Sequence, residues 1–317
     1  MMKNIEDLQQ FYQQEIVPGL SELEILRKAQ LRRIRFMWIA TVVSLLLGFI
    51  TLMPPLILVF LLISLLLYFF FFGFKRKRPD FKAEYKKVVI GKLIQFVAPD
   101  LVFTPNLFIP QSQYNTSKIF LSSPDIYKGE DLVEGKIDKT QVKFCELHTQ
   151  DRQTDSKGRT HYVTIFKGLF FIADFNKNFS GQTYVLSDFG ERFLGGFGKM
   201  LQNLSVGRPD VVRLEDVEFE KQFVVYSTDE VEARYILSPS FMEQIMAFKN
   251  KTNSKIQFSF VGNNIYMAMP MKENLFEPSL RKTVMNFEDI KTYYSQLQFC
   301  VSIVDALNLN TRVWTKQ

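Results

Sequence analysis

The sequence predicts an α+β chain: an N-terminal helix and a two-helix transmembrane hairpin, followed by a mixed strand and helix cytoplasmic domain with a C-terminal amphipathic helix. Three observations predict it. From Phe36 to Phe74 the chain carries no charged residue and is broken only by Met53-Pro54-Pro55. Apolar and polar residues alternate with the period of a strand in 132–137 and 141–148. Apolar residues recur at helical spacing in 287–308. These set boundaries of 1–35 for a cytoplasmic helical segment, 36–74 for the hairpin and 75–317 for the cytoplasmic domain.

Within residues 1–35, Ile5, Leu8, Phe11, Tyr12 and Ile16 lie on one helical face up to Pro18-Gly19, where a break is expected because proline removes an N–H and clashes one turn back. A second helix then starts at Ser21-Glu22-Leu23-Glu24, which has the form of a capping box. It leads without a breaker into the apolar run. The tandem prolines divide that run into two arms of about 18 or 19 residues, each reaching roughly 28 Å against a hydrocarbon core of about 30 Å. Leu45-Leu46-Leu47, Leu65-Leu66-Leu67 and Phe69-Phe70-Phe71-Phe72 leave neither arm a polar face. A re-entrant hairpin that enters without crossing is the alternative, since the arms are at the short end of the spanning range.

Arg27, Lys28, Arg32, Arg33 and Arg35 precede the arms, and Lys75, Arg76, Lys77, Arg78 and Lys82 follow them. Such residues are retained on the cytoplasmic face, so both termini are expected there. The whole chain has 39 Lys+Arg against 33 Asp+Glu, a net charge of +6. Without those ten the balance is 29 against 33, which argues against nucleic acid as a partner of the remaining chain. It points instead to anionic lipid headgroups at the membrane, with Arg32, Arg33, Arg35, Lys75, Arg76, Lys77 and Arg78 as candidate contacts. The two cysteines, Cys145 and Cys300, are expected as thiols in a reducing compartment.

Beyond Pro79-Asp80 a helix is expected from Phe81 to about Val97. Strands follow at Leu132 to Ile137 and Gln141 to His148 about an Asp138-Lys139 turn, then His161 to Phe175. The polar stretch Gln150 to Arg159 between them reads as a protruding loop, and Asp151, Arg152, Asp155, Lys157 and Arg159 are its candidate binding residues. A helix is expected at 187–204, a strand at 222–226, and helices at 229–236 and 239–249. A hairpin about Gly262-Asn263-Asn264 and a closing helix at 287–308 complete the reading.

No pattern calls for a cofactor or a metal, and no catalytic signature is present. Cys145 and His148 are three apart, which puts them on opposite faces of a strand. Gly195-Gly196-Phe197-Gly198-Lys199 departs from a phosphate loop, with Phe193 at the first glycine position and Met200 where Ser or Thr belongs. Glu215, Asp216, Glu218 and Glu220 read as a solvated face, and Asp229 with Arg234 as a structural ion pair.

Three phrases carry a resemblance together: Ile165-Phe166-Lys167-Gly168-Leu169-Phe170-Phe171-Ile172-Ala173-Asp174-Phe175-Asn176-Lys177, Glu230-Val231-Glu232-Ala233-Arg234-Tyr235-Ile236-Leu237, and Leu307-Asn308-Leu309-Asn310-Thr311-Arg312-Val313-Trp314. Over roughly residues 80–317 the chain resembles the bacterial membrane-protein family catalogued as domain of unknown function 3137. The resemblance implies a multi-pass protein of the bacterial inner membrane and carries no activity or catalytic residues. The expected function is a membrane-tethered binding or scaffold module with a lipid or protein partner. The alternatives are an enzyme using Asp155, Arg159 and His161 near 151–161, or self-association of copies through the N-terminal helices.

Overall fold

The computed structural model describes residues 4–50, 54–68, 80–120, 122–175, 177–187 and 209–311. Its contacts divide the chain into two compact units, one of residues 1–92 with 277–291 and one of 93–276 with 292–317.

The first unit is helical. Helix α1 (Ile5–Phe11) is capped by Asn4, whose side chain accepts from the Asp7 N–H while the Asp7 carboxylate accepts from the Asn4 N–H. A π turn, Tyr12–Ile16, joins α1 directly to helix α2 (Val17–Ile50). The expected break at Pro18-Gly19 is therefore absent. In the wider π turn the Val17 N–H reaches the Tyr12 carbonyl, so the strain and the missing donor of Pro18 are taken up just before it. No helix starts at Ser21, and the Glu24 carboxylate turns inward to Arg27 and the Val284 N–H.

Helix α3 (Pro54–Tyr68) packs back on α2, with Ser44 Oγ donating to the Phe60 carbonyl at 3.0 Å and Ser64 Oγ to Ser44 Oγ at 2.9 Å. A Cβ at Gly48 would lie 3.2 Å from Phe60 Cβ, so the glycine sets the close approach. The pair is a helical hairpin, but the transmembrane expectation is overturned. Among the described residues no helix is long and apolar enough to cross a membrane. α3 has 15 residues, and the uncharged part of α2, Phe36 to Ile50, has the same length. At 1.5 Å per residue the described part of each covers about 22 Å against a hydrocarbon core of roughly 30 Å. A multi-pass inner-membrane placement with both termini cytoplasmic loses its basis with it. The rest of the first unit is helix α4 (Phe81–Tyr85), a second π turn (Lys86–Ile90) and the start of α5 (Gly91–Val97), the helix expected at 81–97.

Among the described residues the second unit holds an antiparallel sheet of nine strands: β1 (Leu101–Thr104), β2 (Ile126–Ile137), β3 (Thr140–Thr154), β4 (Thr160–Asp174), β5 (Gln182–Ser187), β6 (Asp210–Val212), β7 (Phe223–Ser227), β8 (Gln257–Val261) and β9 (Asn264–Pro270). Their spatial order is β1-β2-β3-β4-β9-β8-β5-β7-β6. The expected hairpin about Asp138-Lys139 forms, with Asp138 at φ 51°. Gly262 at φ 66° turns β8 into β9. Helices α6 (Gln111–Ser117), α7 (Val217–Glu220), α8 (Glu230–Ile236), α9 (Pro239–Thr252) and α10 (Phe287–Ala306) complete the elements. Residues 188–204 of the expected 187–204 helix, with their glycines, lie outside the described residues, and Ser187 ends β5.

One core cluster joins Cys145 and Leu147 of β3 to Phe166, Phe170 and Ile172 of β4 and Tyr114 of α6. Tyr114 stacks on Phe120 at 5.2 Å and its hydroxyl bonds Thr149 Oγ1 at 3.1 Å, so the buried ring keeps a partner for its polar end.

Candidate functional site

Strands β2, β3 and β4 place Lys128, His148 and Lys167 directly opposite one another, a row of three basic residues across three strands. Two irregularities create this row. In β2 the register shifts between Glu130 and Val133, where Asp131 adopts φ 63°. Counting back from the Ile137–Thr140 pair without that shift would put Gly129 opposite His148. In β4 the shift lies between Phe166 and Thr164, and without it Phe166 would face His148 in place of Lys167.

The row lines a crevice of about 240 Å³ together with Glu130, Glu146 and Glu273. Two glycines form part of its wall. A Cβ on Gly129 would stand 2.6 Å from the Glu146 carbonyl, and one on Gly168, at φ 153°, would stand 2.2 Å from the Met269 carbonyl. Among the described residues Lys128 and Lys167 form no ion pair. Like charges opposed across a ladder are destabilising by a few tenths of a kcal/mol up to about 1. Burial first, and then Lys167 and Lys128, hold the His148 imidazole below its ordinary pKa. Its Nε2 is 3.3 Å from Thr164 Oγ1. Glu146 is turned to the Leu275 N–H.

The expected loop 150–159 is shorter in the structure. Asp151 and Arg152 belong to β3, opposite Val163 and Tyr162, and the Arg152 N–H donates to Asp125 Oδ2 at 2.8 Å. Strand β4 likewise begins at Thr160, leaving only 155–159 as a turn. Asp155 closes that turn, accepting from the N–H groups of Lys157 and Arg159 and from Arg159 Nε at 3.0 Å. These bonds, the Arg159 N–H first, lower its pKa. Asp155 and Arg159 are thus occupied with each other, while His161 lies exposed on β4 opposite Gln153. Asp229 and Arg234 do not pair. Asp229 caps α8 at the Glu232 N–H, and Arg234 binds Glu230 at 2.7 Å. Asp216 similarly caps α7, and Glu220 accepts from the Leu214 N–H.

In the first unit Arg32 and Arg35 are exposed on α2, where the apolar stretch begins, and Arg33 is half-buried. Lys75, Arg76, Lys77 and Arg78 lie outside the described residues. Arg27 faces inward, bonded to Glu24 and to the Leu280 carbonyl. Beyond the arginines the helical pair exposes Trp38 (68%), Ile39, Leu46, Leu58, Leu62 and Leu65.

The basic row could not be read from the sequence. Its three members are spread over 40 residues in three segments, and only two bulges bring them into register.

Residues 164–309 match the family model described as Protein of unknown function (DUF3137). The expected resemblance to domain of unknown function 3137 is shown over residues 164–309, a shorter stretch than 80–317, and the match says nothing of a bacterial source or a membrane. Lys167 lies inside the match, whereas Lys128 and His148 precede it. None of the curated proteins matches the chain. Among solved structures, the crystal structure of the mycobacterial trehalose monomycolate transport factor A, TtfA, aligns at 11% identity over 56% of this chain and 73% of that one, with a TM-score of 0.25. At that score a common fold is not established.

Proposed function

We propose that this chain, which carries the domain of unknown function 3137 at residues 164–309, is a non-catalytic binding module that docks on a lipid layer through α2 and α3 without crossing it. One observation carries the reading: exposed large apolar side chains on both helices, among them Trp38, Ile39, Leu46, Leu58, Leu62 and Leu65, with exposed Arg32 and Arg35 where the apolar stretch begins. Apolar surface of this extent marks a site that something covers. Each large side chain moved out of water contributes about 1.5–3 kcal/mol, and each arginine near an anionic headgroup about 1 kcal/mol. Helices that do not cross a lipid layer can lay such a surface into the headgroup and acyl boundary.

The test uses the full chain with Trp314→Phe, which leaves Trp38 as the sole tryptophan. On mixing with vesicles the chain should float, more strongly with anionic than with neutral phospholipid, and Trp38 emission should move to the blue. Arg32→Gln with Arg35→Gln should weaken flotation on anionic vesicles only. A chain that floats with neither vesicle and sediments as an oligomer would assign the apolar surface to contacts between copies and overturn lipid docking.

A further inference from the structure

The basic row of β2, β3 and β4 belongs to the second unit, whereas α2 and α3 belong to the first. We infer that Lys128, His148 and Lys167 form a subsite for a compact oxyanion of the phosphate class, in the crevice of about 240 Å³ above these strands.

Directly opposed residues of an antiparallel sheet have Cβ atoms about 4.5–5.5 Å apart, close enough for two ammonium groups and an imidazole to converge on one group. Both lysines are exposed, and among the described residues neither is in an ion pair. Within the row the two lysines repel, and two bulges shift the register to assemble it. The other charged groups lining the crevice are Glu130, Glu146 and Glu273. Glu146 is engaged by the Leu275 N–H, and Glu130 stands opposite Glu146 in the ladder. These carboxylates repel any part of an anion that extends beyond the row, which limits the ligand to one small enough to sit between Lys128 and Lys167. His148, kept from protonating by burial and by the two lysines, would take up a proton when a dianion offsets their charge.

The chain has two histidines, which makes the test direct. Histidine-labelled full-length protein is titrated by NMR with and without inorganic phosphate, with exposed His161 as the internal reference. Phosphate at millimolar concentration should raise the His148 pKa by about one pH unit and leave that of His161 in place. Lys128→Gln with Lys167→Gln should raise the His148 pKa of the free protein and abolish the phosphate response, whereas arginine at both positions should preserve the response. A second arm replaces phosphate with vesicles containing phosphatidic acid. A response to inorganic phosphate assigns a soluble ligand, and a response to the vesicles alone assigns a lipid headgroup. Equal movement of both histidines, or of neither, in both arms would overturn the subsite. The glutamine variant should float on neutral vesicles as the unaltered chain does, so failure of this subsite and failure of lipid docking are read separately.

Discussion

Glu24 is the residue on which the first unit turns. Its carboxylate receives Arg27 Nε at 2.9 Å and a terminal guanidinium nitrogen at 2.6 Å, the Val284 N–H at 3.2 Å, and lies 3.5 Å from Lys28. The Arg27 hydrogen bond is the largest of the influences that lower its pKa from 4.5 to about 2. A depressed carboxyl pKa gives stability that is complete above the unfolded value and is lost as pH falls through the folded one. The unaltered chain should therefore lose urea resistance between about pH 4.5 and 2 more steeply than Glu24→Gln. At neutral pH that variant leaves the buried Arg27 without its counter-charge and should cost about 3 kcal/mol, read from the shift in the urea midpoint. The sequence suggests this glutamate for a capping box. That box does not form, because α2 runs through Ser21, and the bond to Val284 could not be read, since Val284 lies 260 positions away.

At the scale of elements, strand β4 shows how far local pattern reaches. Its β-branched and aromatic run from His161 onward predicts a strand, and β4 spans Thr160–Asp174. The glycine within it is required by its neighbour: at φ 153° and 2.2 Å from the Met269 carbonyl, Gly168 has no room for a Cβ. Gly168→Ala should cost about 3 kcal/mol by thermal or urea unfolding, since backbone atoms on β9 would have to move. Gly158→Ala tests the other half of the argument. That turn glycine also has a positive φ, 77°, but nothing lies within 4 Å of a Cβ there, so the loss should be about 1 kcal/mol. The helices follow the same division. The 3.6-residue period places α10 within two residues of its observed end, because its apolar stripe is continuous. Pro18 was misleading, because a π turn one step before it absorbs the local conflict.

At the scale of the whole molecule, both thiols are enclosed. Cys145 lies in the core cluster with its sulfur accepting from the Ile109 N–H, Cys300 is fully buried in α10, and burial pushes both up to about 12. The reactive thiolate is scarce in both, so neither should react with a thiol reagent at pH 8 in the native chain, and both should react in denaturant. Reaction of one thiol in the native state would show that its part of the second unit opens independently.

By itself the sequence determined the α+β class, most of the helices, the two hairpins and the apolar stretch at 36–74, because each depends on the period or turn chemistry of neighbouring residues. Only the tertiary structure decided the rest. Among the described residues no helix is long and apolar enough to cross a membrane, and α3 packs back on α2. Strand pairing converted half of the polar loop 150–159 into ladder. Two bulges set Lys128, His148 and Lys167 side by side. The physical reason is common to all three: periodicity assigns a side chain to a face, whereas register and distant packing determine which residue stands next to it.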